Sequence, residues 1–103
     1  MLKFTANPTF KTTVTVPTTD GPQTVKVTFK YKDADEWAAF VKDKINAEAK
    51  MTDVMAELID SWEDAEEPCS PESMAKLAKV HPAAPNALYE AYIGALTAGR
   101  LEN

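Results

Sequence analysis

Between Thr9 and Val16, the residues Phe10, Thr12, Val14 and Val16 alternate with Lys11, Thr13 and Thr15. The pattern returns with Val25, Val27, Phe29 and Tyr31 set against Thr24, Lys26, Thr28, Lys30 and Lys32. A period of two places each set on one side of an extended chain, so both runs read as half-buried strands. Pro17, Asp20-Gly21 and Pro22 lie between them, and such turn formers are poorly tolerated inside a strand. The first third of the chain is therefore an antiparallel hairpin with a long loop. An isolated hairpin is marginal in water, so the rest of the chain must cover its apolar face.

The remainder reads as helix. Asp33 or Asp35 is placed to cap a helix with apolar positions Trp37, Phe40, Val41 and Ile45, spaced at three and four residues. A second stripe follows at Met51, Val54, Met55, Leu58, Ile59 and Trp62. Stepping from Ile45 to Met55 turns the stripe by about 80°, which one straight helix would not tolerate. The expectation is a break near Asn46 to Met51, with Thr52 capping the second helix. Glu63 to Pro68 is acidic and ends in proline, and so reads as a loop. Ser70-Pro71-Glu72 then combines a serine cap, a proline at the first helical position and an early acid. That helix carries Met74, Leu77, Ala78 and Val80 and stops at His81-Pro82; a last one opens at Pro85 with Leu88, Tyr89, Tyr92, Ile93 and Leu96, and Gly99 is placed to end it. The expected architecture is α+β: an N-terminal antiparallel β-hairpin over residues 1–32 packed on a bundle of about four short helices over residues 33–103. At 103 residues the chain suits one domain.

The net charge of −5 conceals segregation. Residues 1–32 hold five lysines and Asp20, residues 33–67 hold twelve acids and three lysines, and residues 68–103 are balanced. A nucleic-acid binder would show a basic patch supported by aromatics or glycines; alternate lysines on strands instead suit the solvent face of a sheet and discourage edge pairing. Nucleic acid is not an expected partner. The lone Cys69 excludes an internal disulfide, and no apolar run is long enough to span a membrane. An intracellular protein is expected, with no membrane partner.

Catalytic groups are scarce. His81 is the only histidine, and Gly21, Gly94 and Gly99 are too scattered to cradle a phosphate. Cys69 and His81 flank a helix of about twelve residues and so stand roughly 18 Å apart, beyond any proton relay. The acids between Glu57 and Glu67 lack the glycine and the regular alternation of a calcium loop. No enzyme activity, metal or cofactor is expected. Binding remains. Methionine and aromatic side chains adapt to varied apolar segments, and Met51, Met55, Leu58, Trp62, Met74 and Tyr92 are the candidate partner-binding residues, with the exposed surface centred on Met55 and Trp62. The competing reading of the same side chains is that they pack the core.

Together these residues resemble a known family. The opening Phe4-Thr5-Ala6-Asn7-Pro8-Thr9-Phe10, the proline-glycine turn and the strand ending Thr28-Phe29-Lys30-Tyr31-Lys32 are similar to the start of small phage tail assembly chaperones. So are Trp62 with its following acids, Ser70-Pro71-Glu72-Ser73-Met74, His81-Pro82-Ala83-Ala84 and Leu88-Tyr89-Glu90-Ala91-Tyr92. The ending Arg100-Leu101-Glu102-Asn103 fits less closely, with an acid where a basic residue is expected. The resemblance implies a non-enzymatic protein of long-tailed phages or prophages, made in the host cytoplasm and absent from the mature virion. It would bind the tape measure protein, a long helical chain with exposed apolar stretches, and keep it soluble while tail tube subunits polymerise around it. The major tail protein and a second copy of the chain are secondary candidate partners. The rival reading is an acidic phage-encoded inhibitor or DNA mimic that occupies a basic cleft on a host protein. It needs acids fixed on one rigid face, whereas many of these acids lie in a loop or beside Lys42, Lys44 and Lys50.

Overall fold

The hairpin forms as the alternation requires, and a third strand joins it. The structure, a computed structural model, describes residues 1–98. Strands β1 (Thr9–Val16) and β2 (Gln23–Lys30) pair antiparallel, from Thr9 opposite Lys30 to Val16 opposite Gln23. Phe10 meets Phe29, Thr12 meets Val27 and Val14 meets Val25. This register gathers the inward residues on one face, where Val14, Val16, Val27 and Phe29 are buried; Lys11, Lys26 and Lys30 are exposed. In the connection, the Gly21 N–H donates to the Thr18 carbonyl at 3.1 Å, and the Thr18 hydroxyl donates to the Gly21 carbonyl at 2.5 Å. Gly21 has φ +94°, a conformation that only glycine adopts without strain.

Local signals also set the helix starts. Helix α1 (Ala34–Asn46) is capped by Asp33, whose carboxylate accepts the Glu36 N–H at 2.8 Å while Glu36 accepts the Asp33 N–H at 3.1 Å. The chain breaks after Asn46 and resumes as α2 (Met51–Leu58), where expected, but the cap position is Lys50 and not Thr52, and no side chain caps it. Helix α3 (Pro71–Val80) starts as read: Ser70 Oγ accepts the Ser73 N–H at 3.0 Å, and Ser73 Oγ accepts the Ser70 N–H at 2.8 Å. Helix α4 spans Ala84–Ala98; the expected stop at Gly99 lies outside the described residues.

The second stripe does not continue as one helix. Helix α2 ends at Leu58, and the chain passes without a loop into strand β3 (Ile59–Glu63), which pairs antiparallel with β2 to give the order β1-β2-β3. Phe29 faces Ile59, Val27 faces Trp62, and Asp60 is the extra residue of a bulge opposite Thr28 and Phe29. A bulge shifts the alternation by one residue. Ile59 and Trp62, three apart, thus share the inner face of a strand while keeping a helix-like spacing.

The inner face of the sheet is covered by α4, which lies along β1, and by α2, which packs on both α3 and α4. Val14, Val27, Phe29, Met55, Leu58, Met74, Leu88 and Tyr92 are almost wholly buried between these layers. Each such side chain contributes roughly 1.5–3 kcal/mol relative to leaving it in water. Helix α1, expected to bury its stripe, buries no residue fully, and Ile45 is 69% exposed. The other helices already cover the sheet, so α1 is held at its margin through Trp37 and Phe40.

Candidate functional site

The six candidate residues separate by depth. Met55, Leu58, Met74 and Tyr92 are at most 1% exposed and lie in the core. Met51, at the start of α2, and Trp62, on β3, are half-buried. The surface expected around Met55 and Trp62 is therefore not one surface: Met55 points inward, and Trp62 faces the turn after β3, donating its indole N–H to the Glu67 carbonyl at 2.7 Å. The strand pairing that draws Ile59 to Trp62 against β2 removes them from the helical face that Met51 occupies.

The apolar surface that the fold does leave open runs along α1. Trp37, Phe40, Val41, Ile45, Met51 and Tyr89 border a groove of about 330 Å³ between α1, the start of α2 and α4. A second hollow, of about 440 Å³, continues over the outer side of Trp37, Val41 and Ile45. One end of this surface is rigid. The Trp37 ring lies 5.7 Å from Phe40, 6.4 Å from Tyr89 and 5.4 Å from Tyr92, and Tyr92 packs edge-on against Phe29 at 5.2 Å. The groove thus rests on an aromatic column that reaches the sheet. Offset and edge-on contacts of this kind contribute about 0.5–1.5 kcal/mol each beyond their buried area.

Charges frame the apolar strip. Lys32 and Lys44 sit over the Phe40 ring at 4.8 and 5.3 Å, and Lys44 is tied to Glu57 and, at 3.6 Å, to Asp43. Its hydrogen bond to Glu57 raises the Lys44 pKa above the ordinary value, so it stays charged. Lys44 and Glu48 line the groove and Lys42 lines the adjoining hollow, so both signs of charge stand beside the strip. An apolar groove bordered by both signs of charge suits an amphipathic helix, whose apolar face enters the groove while its polar flanks meet the rim. The sequence signal for this site was the stripe Trp37, Phe40, Val41 and Ile45. Its periodicity showed an apolar face without showing whether anything covers it.

Burial, then the charge of Asp60, raises the pKa of the half-buried Cys69 thiol, which disfavours the nucleophilic thiolate. Burial also pushes Tyr92 up to about 12; its hydroxyl donates to the Lys30 carbonyl at 2.9 Å and stays neutral. Among the described residues no three His, Cys, Asp or Glu side chains converge on a metal position, and no helix is long and apolar enough to cross a membrane. What the surface along α1 offers is apolar contact.

Comparison with known proteins bears on what that contact serves. The family model described as phage tail assembly chaperone matches residues 1–103. No curated protein and no solved structure matches the chain.

Proposed function

This chain belongs to the phage tail assembly chaperones, and we propose that it acts without catalysis, binding the tape measure protein and keeping it soluble while the tail tube assembles around it. The observation that carries the reading is the groove along α1, where Ile45 is 69% exposed and Val41 and Met51 are half-buried beside it. A folded protein leaves such a strip open at a cost in solubility, and exposed apolar patches commonly mark partner sites. A long helical client exposes ridges of apolar residues at helical spacing, and a groove beside a helix fits that shape. In this reading Met51 contacts the client with Trp37, Val41 and Ile45, while Tyr92 supports the groove through Trp37, and Met55, Leu58 and Met74 pack the core. The work takes place in the host cytoplasm during assembly, and the chaperone leaves before the virion is complete. The major tail protein and a second copy of the chain are further partners that this surface would suit.

The test is co-expression of a tape measure fragment with the wild-type chain and with a Val41→Ser, Ile45→Ser variant. Ile45 is 69% exposed, Val41 is half-buried and α1 buries no residue fully, so the variant should keep its circular dichroism spectrum and most of its melting temperature. The expected result is loss of soluble fragment. A folded variant that keeps the fragment as soluble as wild type would overturn the placement of the site, and a wild-type chain with no effect on the fragment would overturn the function.

A further inference from the structure

A second cavity lies beside the acidic turn after β3, and its lining shares no residue with the groove along α1. Its volume is about 210 Å³. Val16 and Leu88, both buried, form its base together with Val25, Trp62 and Leu77, and Asp64 and Glu66 stand exposed at its mouth. A smaller hollow of about 150 Å³ continues beneath the same turn past Trp62, Glu66, Leu77 and His81.

The turn is fixed, and its carboxylates are unequally used. The Trp62 indole N–H holds the Glu67 carbonyl, Glu67 pairs with Lys76, and Glu63 lies 3.7 Å from Lys11. Asp64 and Glu66 make no ion pair among the described residues; Lys76, already bound to Glu67, feels Glu66 only as a more distant charge. His81 also lines the cavity, and its Nδ1 is buried without a hydrogen-bond partner among the described residues. An apolar shaft, an indole wall and two carboxylates without an ion pair among the described residues thus meet at one opening.

We propose that this cavity receives an arginine side chain carried by a basic helical segment of the client. The methylene stem fits the apolar shaft, the planar guanidinium stacks on an indole face, and its five N–H donors suffice for both carboxylates. A neutral side chain would leave the carboxylates unpaired, and an acidic one would be repelled. The chaperone reading enters only in naming the client as the chain that carries the arginine; the pocket chemistry stands apart from it.

The two tryptophans separate the two sites, since Trp37 borders the α1 groove and Trp62 the cavity. The experiment follows both indole N–H signals in ¹H–¹⁵N spectra of the full chain during titration with n-butylguanidinium, with 1-butanol as the uncharged control. The expected result is a saturable shift of Trp62, no shift of Trp37 and no effect of 1-butanol. Asp64→Asn with Glu66→Gln should weaken the response several-fold, and asparagine tolerates the left-handed φ of +66° at that position. A Trp62 signal that stays still, that follows 1-butanol equally, or that responds unchanged in the double variant overturns the proposal. A tape measure fragment that shifts Trp37 but not Trp62 also overturns it and leaves the chaperone reading standing. A fragment that shifts neither overturns the chaperone reading, while a Trp62 response to the small probe would still support the pocket's preference for guanidinium.

Discussion

Removing the Tyr92 hydroxyl tests the core and its charge state together. Tyr92 is wholly buried, its ring lies 5.4 Å from Phe10 and 5.2 Å from Phe29, and its hydroxyl donates to the Lys30 carbonyl at 2.9 Å. Tyr92→Phe keeps the ring and deletes that bond, which should cost about 1 kcal/mol at neutral pH. For a chain of this length that lowers the melting temperature by about 4–8 °C. Alkaline pH should reverse the order of the two proteins. Burial first, and then the nearby Tyr31 and Glu36, raise the native pKa from 10.0 to about 12. Between those values the unfolded tyrosine gives up its proton and the native one keeps it, so this stabilisation is full below the lower pKa and is lost as pH rises through the upper one. At about 1.4 kcal/mol per unit, wild type loses on the order of 3 kcal/mol that the phenylalanine variant does not lose. Lysines titrate in both proteins and cancel in the difference. Urea melts of the pair at neutral pH and across the interval should show the variant weaker at first, then level, then stronger. A difference that stays constant through the alkaline interval would refute the argument, because the phenol would then titrate alike in both states.

Val27 is wholly buried opposite Thr12 and Trp62, so Val27→Asp should strand a charge at a cost of several kcal/mol against a total stability of about 5–15 kcal/mol; a soluble variant with unchanged thermal melting would show that the face is not core. Ser70→Ala removes the acceptor of the Ser73 N–H and should cost about 1 kcal/mol in urea melts, with the loss of helix signal greatest at the start of α3. Gly21→Ala meets no atom within 4 Å but keeps φ at +94°, so calorimetry should show a loss of about 1–2 kcal/mol from backbone strain alone.

Much of this fold is legible residue by residue. The alternation of Phe10 to Val16 and Val25 to Phe29 determined the hairpin and which face is buried; Tyr31, read as the last inward residue, falls beyond the end of β2, where the chain turns toward the α1 cap, and is 37% exposed. The caps at Asp33 and Ser70 determined where two helices begin, and the change of phase between Ile45 and Met55 determined the break between α1 and α2. These are local signals, because a cap or an alternation acts within a few residues and has the same meaning wherever the segment packs. The third strand was not legible. Ile59 and Trp62 are three apart, as on a helix, and only pairing with the free edge of β2, with Asp60 as the bulge, turns that spacing into a strand. Nor does periodicity say which stripe is covered. The stripes of α1 and α2 look alike in sequence, yet Met55 is wholly buried and Ile45 is 69% exposed, because the inner face of a three-stranded sheet is finite and α2 and α4 occupy it. The pocket beneath the acidic turn gathers Val16, Val25, Trp62, Leu77, His81 and Leu88 from five elements and one helix end. Contact between residues so far apart along the chain depends on how the layers stack, and only the tertiary structure decided that.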